Sequence, residues 1–221
     1  MKKDTKIKKP WPTKDVMEQV YELHLWGSNN SKFYSGIGSH DPQIIEPYIT
    51  IVASFLNSFK KPITVCDLGC GDFNIGKRLV KFTQKYIAVD IVSSLIIHHK
   101  EKFKNENLEF HCLDISLDDL PFGDCAIIRQ VFQHLSNEEV QNIANKLKVF
   151  KYIIVTEHIP DKKFTPNKEI ISGQGTRLKK QSGIDLLAPP FNFKVEEERE
   201  LLSIHLKNSQ GIIVTNLFRV F

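Results

Sequence analysis

Short apolar runs alternate with segments of helical periodicity along most of the chain. The apolar runs that predict strands lie at 63–67, 86–91, 108–112, 123–129 and 151–156. The segments between them that predict helices lie at 74–84, 93–104 and 136–149. Strands that alternate with helices at this spacing predict a parallel sheet covered on both faces. Two longer apolar segments, 193–203 and 211–221, flank a polar turn and predict an antiparallel hairpin at the sheet edge.

Two helices are predicted before this alternating region. Thr13 is placed to cap a helix that runs to about Leu25 and ends at Gly27. Asp41 and Pro42 begin the second helix, with the acid as its cap and proline in its first turn. A polar, glycine-containing loop joins the two.

With 221 residues, the chain is expected to form one domain over 13–221, preceded by a disordered basic tail over 1–12. We divide this domain into a helical cap, 13–60, and a ligand-binding core, 61–156. A segment rich in proline, glycine and lysine, 157–192, interrupts the rhythm and is the expected substrate-side insert. The hairpin, 193–221, completes the domain.

Charge and cysteine content narrow the function classes. The net charge is +4, but residues 1–14 hold six lysines and one aspartate, so the remainder is close to neutral. A basic face for nucleic acid is therefore not predicted. The four cysteines form no CxxC pair, which favours reduced thiols over a disulfide framework or metal site. No membrane span or signal peptide is recognised, so a cytoplasmic location is expected.

The most informative segment is the glycine turn after the first predicted strand. Asp67 precedes Gly69 and Gly71, which allow a tight bend and a close approach of the backbone to a ligand. The next two strands also end in acids, Asp90 and Asp114. Ligands of open α/β sheets bind beyond the carboxyl ends of the strands, so these acids are predicted to share one crevice. An acid before the turn favours a ligand with a positive group.

Dinucleotide binding is the alternative for such a turn. Its fingerprint is GxGxxG, and Gly69 and Gly71 match the first two glycines. Asn74 stands at the third glycine position, and an acid two residues before the first glycine is not part of that pattern. This alternative is therefore the weaker one.

The ordered motifs resemble those of the class I S-adenosylmethionine-dependent methyltransferases. Residues 66–71 (CDLGCG) resemble the first motif of that family, Val89-Asp90 the second and Leu113-Asp114 the third. Residues 125–135 (CAIIRQVFQHL) resemble the fourth. The resemblance implies a Rossmann-like, doubly wound, seven-stranded α/β sheet that is mostly parallel. Phe73 departs from the pattern, since the family usually has glycine there, and its side chain is a candidate cover for the methionine end of the cofactor.

The resemblance also implies cofactor contacts. Backbone N–H groups of the turn would hold the cofactor carboxylate, and Asp67 would face its ammonium group. Asp90 would bind the ribose, Ile91, Asp114 and Ile115 would frame the adenine, and Arg129 and Gln130 would lie beside the reacting methyl. The lead-in segments Trp26-Gly27 and 35–39 are predicted to cover the site. The implied cofactor-binding residues are Trp26, Gly36, Asp67, Gly69, Cys70, Gly71, Asp90, Ile91, Asp114, Ile115, Arg129 and Gln130.

Methyl transfer to a protonated nucleophile is helped by a general base. His134 is the first candidate because its segment follows the fourth strand, and a helix-entry role is its alternative. Glu157 and His158 are further candidates, expected to leave the fifth strand at the crevice edge. His99 is read as a surface or packing residue, and Arg177 either as a contact for an anionic acceptor or as a solvated charge.

The sequence therefore predicts S-adenosylmethionine-dependent methyl transfer to a small-molecule acceptor. One alternative is a protein that binds the cofactor without turnover. Another is methylation of RNA or protein, although residues 129–132 (RQVF) are not the Asn/Asp-Pro-Pro-aromatic tetrapeptide of many amino-group methyltransferases. The lysine-rich tail is the only support for that alternative.

Overall fold

The structure is a computed structural model that describes residues 10–28, 31–206 and 211–221. The first nine residues of the predicted basic tail lie outside the described residues. Within the described part, no helix is long and apolar enough to cross a membrane.

A seven-stranded sheet forms the centre of the molecule, as predicted. Its strands are β1 Thr64–Leu68, β2 Lys85–Asp90, β3 Leu108–Cys112, β4 Cys125–Arg129, β5 Tyr152–Ile159, β6 Glu197–His205 and β7 Ile212–Arg219. They lie in the order β3-β2-β1-β4-β5-β7-β6. The first five strands are parallel, and β7 runs antiparallel to both β5 and β6. The prediction of an antiparallel hairpin at one edge is confirmed.

Within the described residues, five α-helices flank the sheet. They are α1 Thr13–Glu22, α2 Pro42–Asn57, α3 Gly76–Leu79, α4 Ser93–Lys102 and α5 Asn137–Leu147. Short 3-10 helices lie at Ile37–Ser39, Val80–Phe82, Phe132–His134 and Arg177–Lys180. The segment Phe132–His134 follows β4 directly and contributes to the site described below.

Alternating side chains of the strands build one hydrophobic layer on each face of the sheet. In β1, Cys66 and Leu68 pack in the layer that contains α5 and the apolar residues of the insert. Val65 points to the opposite layer, which contains α2 and Phe73. This period-2 alternation is expected for a sheet buried on both faces.

Several predicted boundaries change in the structure. Thr13 is not the N-cap of α1, because Pro12 occupies that position and Thr13 is the first helical residue. Helix α1 ends at Glu22, three residues before the predicted Leu25, and the next residue, Leu23, is exposed. The cap of α2 is confirmed, since the Gln43 N–H donates to Asp41 Oδ1 at 2.8 Å.

The helix predicted at 74–84 is shorter, and strand β5 is longer than predicted. Helix α3 spans only Gly76–Leu79 before it tightens into a 3-10 turn. Strand β5 continues to Ile159, where Glu157 and His158 pair with Val214 and Ile213 of β7. The prediction that these two residues leave the strand at the crevice edge is therefore wrong, because pairing with β7 extends β5 beyond them.

Candidate functional site

A cavity of about 370 Å³ lies at the carboxyl ends of the parallel strands. This volume is within the range of small-molecule and cofactor sites. The loops after β1 to β4 form its base, while residues of the cap, such as Trp26, and of the insert, such as Thr176, close it from the other side. Thirteen of the predicted site residues line it: Trp26, Gly36, Asp67, Gly69, Cys70, Gly71, Asp90, Ile91, Asp114, Ile115, Arg129, Gln130 and His134.

Asp67 is a buried carboxylate in the cavity wall. The Tyr86 O–H donates to its Oδ2 at 2.8 Å. Burial raises the pKa of Asp67 to about 7, against the opposing effects of the Tyr86 hydrogen bond and the Arg129 charge. A positive group in the cavity would restore the charged form of this carboxylate.

The backbone N–H groups of the glycine turn already have acceptors within the protein. Gly69 and Cys70 both donate to the Val89 carbonyl, at 2.8 and 2.9 Å. The Gly71 N–H donates to Asp90 Oδ2 at 3.0 Å, and the Asp72 N–H donates to Ser35 Oγ. These bonds fix the shape of the turn, and the geometry does not support the expectation that the same N–H groups hold a ligand carboxylate.

Phe73 does not reach the cavity. Its backbone adopts a φ of 63°, the left-handed conformation that usually favours glycine. Its ring is fully buried and packs against the rings of Phe103 and Phe110, with centroids 5.1 and 4.9 Å away. The residue therefore takes a backbone conformation typical of glycine while its side chain fills the hydrophobic layer, so the expected cover for the cofactor is not formed by Phe73.

His99 forms a hydrogen bond with the backbone of the glycine turn. Its Nε2 lies 2.7 Å from the Gly71 carbonyl oxygen, so this nitrogen carries the hydrogen and donates. Burial lowers the pKa of His99, which favours the neutral ring. Sequence reasoning treated His99 as a surface or packing residue, and nothing in its local pattern indicates a partner 28 positions away.

The acids after β2 and β3 also stabilise local backbone. Asp90 Oδ1 accepts the Val92 N–H at 3.0 Å, while its Oδ2 accepts the Gly71 N–H. Asp114 Oδ1 accepts the N–H and the hydroxyl of Ser116, at 2.8 and 2.6 Å. Both side chains therefore combine a turn-stabilising role with a position in the cavity wall.

The helical cap is bound to the glycine turn through Asp72. Asp72 Oδ2 accepts the Ser35 N–H at 2.8 Å and His40 Nε2–H at 2.6 Å. Ser35 Oγ accepts the Asp72 N–H at 2.8 Å and lies 2.7 Å from the Tyr21 hydroxyl. We call this reciprocal pair the Ser35–Asp72 clasp. Sequence reasoning missed its members, and the serine-glycine segment 35–39 is the only signal that pointed to this region.

Arg129 joins the end of β4 to the same cap loop. Its Nη2 donates to the Gly38 carbonyl at 2.6 Å, and its Nη1 lies 3.3 Å from Ser39 Oγ. The guanidinium stacks over the Tyr48 ring, 4.9 Å from the centroid. Burial lowers the pKa of Arg129, which is opposed by nearby Asp67. The result is a positive group held in the cavity wall.

His134 is hydrogen-bonded at both ring nitrogens. Its Nδ1 lies 3.1 and 3.2 Å from the carbonyl oxygens of Gly173 and Gly175, and its Nε2 lies 3.2 Å from Gln133 Nε2. Burial lowers the pKa of His134 to about 4. A neutral ring whose Nε2 already accepts a hydrogen bond is poorly suited to remove a proton near neutral pH, which argues against the predicted role as general base.

Glu157 and His158 lie outside the cavity wall. Glu157 is buried, and its two carboxylate oxygens accept the N–H groups of Phe132 and Gln133 at 3.0 and 2.9 Å. Burial raises the pKa of Glu157 to about 8, while these two donors act in the opposite direction. The contacts show that Glu157 holds the start of the 3-10 segment after β4 in place, and they do not support direct catalysis.

Arg177 is buried and fastens the insert to the segment after β4. Its guanidinium donates to the carbonyls of Phe132 and Leu135 and to Asn137 Oδ1, each at 2.7 Å. It is thus neither a solvated charge nor a free contact for an anionic acceptor. Loop residues near it, including Gln174, complete the cavity wall.

Comparison with known proteins agrees with this geometry. Residues 65–150, which include the glycine turn and strands β2 to β4, match the family model described as "Methyltransferase domain". Residues 65–150 therefore match a methyltransferase domain, and the chain has the fold of class I methyltransferases. A comparison with curated proteins found no match.

Solved structures share the fold of this methyltransferase. The N-methyltransferase NodS from Bradyrhizobium japonicum WM9, in complex with S-adenosyl-L-homocysteine, aligns with a TM-score of 0.62 at 10% identity, over 93% of this chain and 99% of its own. Magnesium protoporphyrin IX methyltransferase (ChlM) from Synechocystis PCC 6803, with bound S-adenosylmethionine, aligns with a TM-score of 0.57 at 13% identity, over 96% and 99%. Human N-acetylserotonin methyltransferase, also in complex with S-adenosylmethionine, aligns at 0.55 and 15%, over 94% and 65%.

The cavity fits S-adenosylmethionine, which is bound in the ChlM and N-acetylserotonin methyltransferase structures. The cofactor has an ammonium and a sulfonium group, which suit a wall that contains the buried carboxylates of Asp67 and Asp90. Apolar side chains such as Ile91 and Ile115 line the same cavity and can pack against the adenine ring of the cofactor. Among the described residues, no group of three or more acids, histidines and cysteines is placed to hold a metal ion.

Proposed function

We propose that this methyltransferase acts on a small-molecule acceptor rather than on RNA or protein. The observation that carries the proposal is the closure of the cavity. Trp26 and Gly38 of the cap and Gln174 and Thr176 of the insert line it opposite the strand ends. An acceptor that reaches the cofactor must fit beneath these residues, which favours a compact molecule over a polymer chain.

We assign the cofactor by the positions of the wall residues. Asp67 faces the ammonium group, and Asp90 accepts from the ribose hydroxyls. Ile91, Asp114 and Ile115 surround the adenine, while Arg129 and Gln130 lie beside the reacting methyl. Trp26 and Gly36 cover the bound cofactor from the cap side. The wall residues that carry this assignment are Trp26, Gly36, Asp67, Asp90, Ile91, Asp114, Ile115, Arg129 and Gln130.

S-adenosylmethionine supplies an activated methyl group, and a lone pair of the acceptor displaces the thioether sulfur in line, which leaves S-adenosylhomocysteine. The protein contributes alignment and exclusion of water. The Ser35–Asp72 clasp and the Arg129 contacts with Gly38 hold the cap against the strand ends, so they serve both purposes.

Two measurements test this function. Isothermal titration calorimetry should show binding of S-adenosylmethionine and S-adenosylhomocysteine, and absence of both would contradict the proposed function.

To identify the class of acceptor, purified protein is then incubated with methyl-labelled cofactor and a cell extract, and the products are separated by size. Label is expected in the low-mass fraction, and label confined to protein or RNA would overturn the small-molecule acceptor.

A truncated protein that lacks residues 1–12 separates the two acceptor classes further. The lysines of this segment are the only sequence feature that favours a polyanionic acceptor. If the acceptor is a small molecule held in the cavity, removal of the segment leaves the labelling rate unchanged. A strong loss of labelling together with unchanged cofactor binding would favour a macromolecular acceptor.

A further inference from the structure

Gln133 lines the cavity and has a buried hydrogen-bond acceptor that no other group among the described residues uses. Its side chain is 7% exposed and forms part of the cavity wall. Its Oε1 is buried and has no hydrogen-bond partner among the described residues. A buried amide oxygen without a partner is costly, so such an atom in a native protein calls for an explanation, such as a bound water or ion, or a functional role in which a ligand supplies the donor.

The orientation of the Gln133 amide follows from its neighbours. The carbonyl oxygens of Gly173 and Gly175 only accept, so His134 Nδ1 must carry the hydrogen that faces them. The neutral ring then has an acceptor at Nε2, which faces Gln133 Nε2 at 3.2 Å. The same Gln133 nitrogen lies 3.4 Å from the Gln130 carbonyl oxygen, a second acceptor. The amide nitrogen of Gln133 therefore faces His134 and Gln130, and its Oε1 points away from them.

The backbone around Gln133 is held rigidly. Its N–H donates to Glu157 Oε2 at 2.9 Å, and the carbonyl of Phe132 accepts from Arg177. Trp26 packs against His134 with 5.2 Å between ring centroids. A rigid acceptor beside aromatic surface is suited to orient a bound molecule, because little entropy is lost when the contact forms.

We propose that Gln133 Oε1 accepts a hydrogen bond from an O–H or N–H group of the methyl acceptor, so that the acceptor is a hydroxyl or amine compound. This inference rests on the proposed function. A carboxylate in the same place would bring two acceptors together and would be disfavoured. Gln133 is then a substrate-binding residue, and His134 is a positioning residue that fixes its amide.

The cofactor also carries amino and hydroxyl donors, so the experiment separates the two sources. Calorimetry first measures S-adenosylhomocysteine binding for wild type and Gln133→Leu. Dissociation constants that agree within threefold assign the donor to the acceptor molecule. A tenfold or larger loss of S-adenosylhomocysteine affinity in the variant would give the donor to the cofactor and overturn the proposal. Absence of binding to wild type would instead contradict the proposed function itself.

The probes for the acceptor side are phenol and toluene, which have nearly the same shape but differ in one O–H donor. Their dissociation constants are measured by NMR titration of protein saturated with S-adenosylhomocysteine. We expect phenol to bind wild type at least fivefold more tightly than toluene, the effect of one neutral hydrogen bond. In Gln133→Leu this preference should disappear, and an unchanged preference would overturn the proposal.

Control variants keep the test decisive. Gln84→Leu makes the same change at an exposed position before β2 and should retain the phenol preference. Should Gln133→Leu fail to fold, Gln133→Asn provides the second variant, since a shorter side chain withdraws the oxygen but keeps an amide. A retained preference in Gln133→Asn would contradict the proposal. His134→Phe, which removes the partner of Gln133 Nε2, should reduce the preference for phenol over toluene.

Discussion

The buried carboxylate of Asp67 lowers the stability of the fold near neutral pH, and we expect it to bind the ammonium group of the cofactor. Asp67 is buried, its carboxylate forms no ion pair with any of the described residues, and burial raises its pKa to about 7. The unfolded chain releases this proton near pH 3.8, so between these values the folded protein retains a proton that the unfolded chain has lost. The folded state is then favoured less and less as pH rises from about 4 to about 7.

Replacement of this carboxylate should reveal that cost. The Asp67→Asn side chain cannot ionise, so the variant escapes the loss of stability that wild type suffers as pH rises. The free energy of unfolding of the variant, relative to that of wild type, should therefore be higher at pH 8 than at pH 4 by up to about 4 kcal/mol. Urea unfolding at both pH values measures the difference. The same variant should bind S-adenosylhomocysteine at least tenfold more weakly, because the ammonium group loses its carboxylate. Equal pH dependence in the two proteins would contradict the shifted pKa.

Phe73 should contribute to the free energy of unfolding but have little effect on the affinity for the cofactor. Its ring lies in the hydrophobic layer and outside the cavity wall. Phe73→Leu is expected to lower the free energy of unfolding by about 1–2 kcal/mol through lost packing. The dissociation constant of S-adenosylhomocysteine should change less than threefold. Phe122→Leu, the same change at a side chain that is 89% exposed, is the matched control and should alter neither. A large loss of affinity in Phe73→Leu would show that Phe73 determines the shape of the site.

The sequence identified residues of the wall better than residues that support it. Asp67, Asp90 and Asp114 are recognisable because each lies at the carboxyl end of an apolar run. The supporting contacts of His99 and of the Ser35–Asp72 clasp join segments 28 and 37 positions apart, and no local pattern encodes such pairs.

At the level of elements, the predicted strands and helices are largely confirmed, and the errors have tertiary causes. The sequence places Glu157 at the crevice because the predicted strand ends at Thr156. Pairing with β7 instead carries β5 to Ile159, which directs Glu157 toward the backbone of the segment after β4. Partners in β7 that lie 53 to 67 residues further along the chain cannot be read from the apolar run itself.

The cap should bind the cofactor less tightly once the clasp is weakened. Ser35→Ala removes the hydroxyl that accepts the Asp72 N–H and contacts Tyr21. We expect about a tenfold loss of affinity for S-adenosylhomocysteine, the effect of one to two hydrogen bonds. Calorimetry measures the change. Ser58→Ala, which removes a hydroxyl bonded to Phe55 at the end of α2, is the control and should bind normally. Equal affinity in both variants would show that the clasp does not contribute to cofactor binding.

The insert should depend on Arg177. Arg177→Lys retains the charge but cannot reproduce the three short bonds to Phe132, Leu135 and Asn137. Because the buried charge would be left without adequate partners, the free energy of unfolding should fall by about 3 kcal/mol. Denaturant unfolding measures the loss. Lys179→Met, in the same 3-10 helix but exposed, should differ from wild type by less than about 0.5 kcal/mol. A similar result for both variants would contradict an anchoring role.

At the scale of the whole molecule, the sheet provides the base of the cavity, and two segments distant in sequence provide its cover. The cap reaches the base through the Ser35–Asp72 clasp and through Arg129, and the insert reaches it through Arg177 and His134. Wall residues of both segments meet over the same strand ends. A ligand that contacts all these elements should therefore couple them.

This coupling predicts how the cofactor product changes the protein. At a concentration 100 times its dissociation constant, S-adenosylhomocysteine should stabilise the fold by about 2.7 kcal/mol and raise Tm by roughly 5–10 °C. Hydrogen exchange should slow at the glycine turn and, in the same titration, at 35–39 and 173–176, because these segments line one cavity. Amides of β6, which contributes no residue to the cavity wall, are the internal reference and should follow the global stability alone. Protection confined to the turn would mean that the cap and the insert close over the site independently of the cofactor.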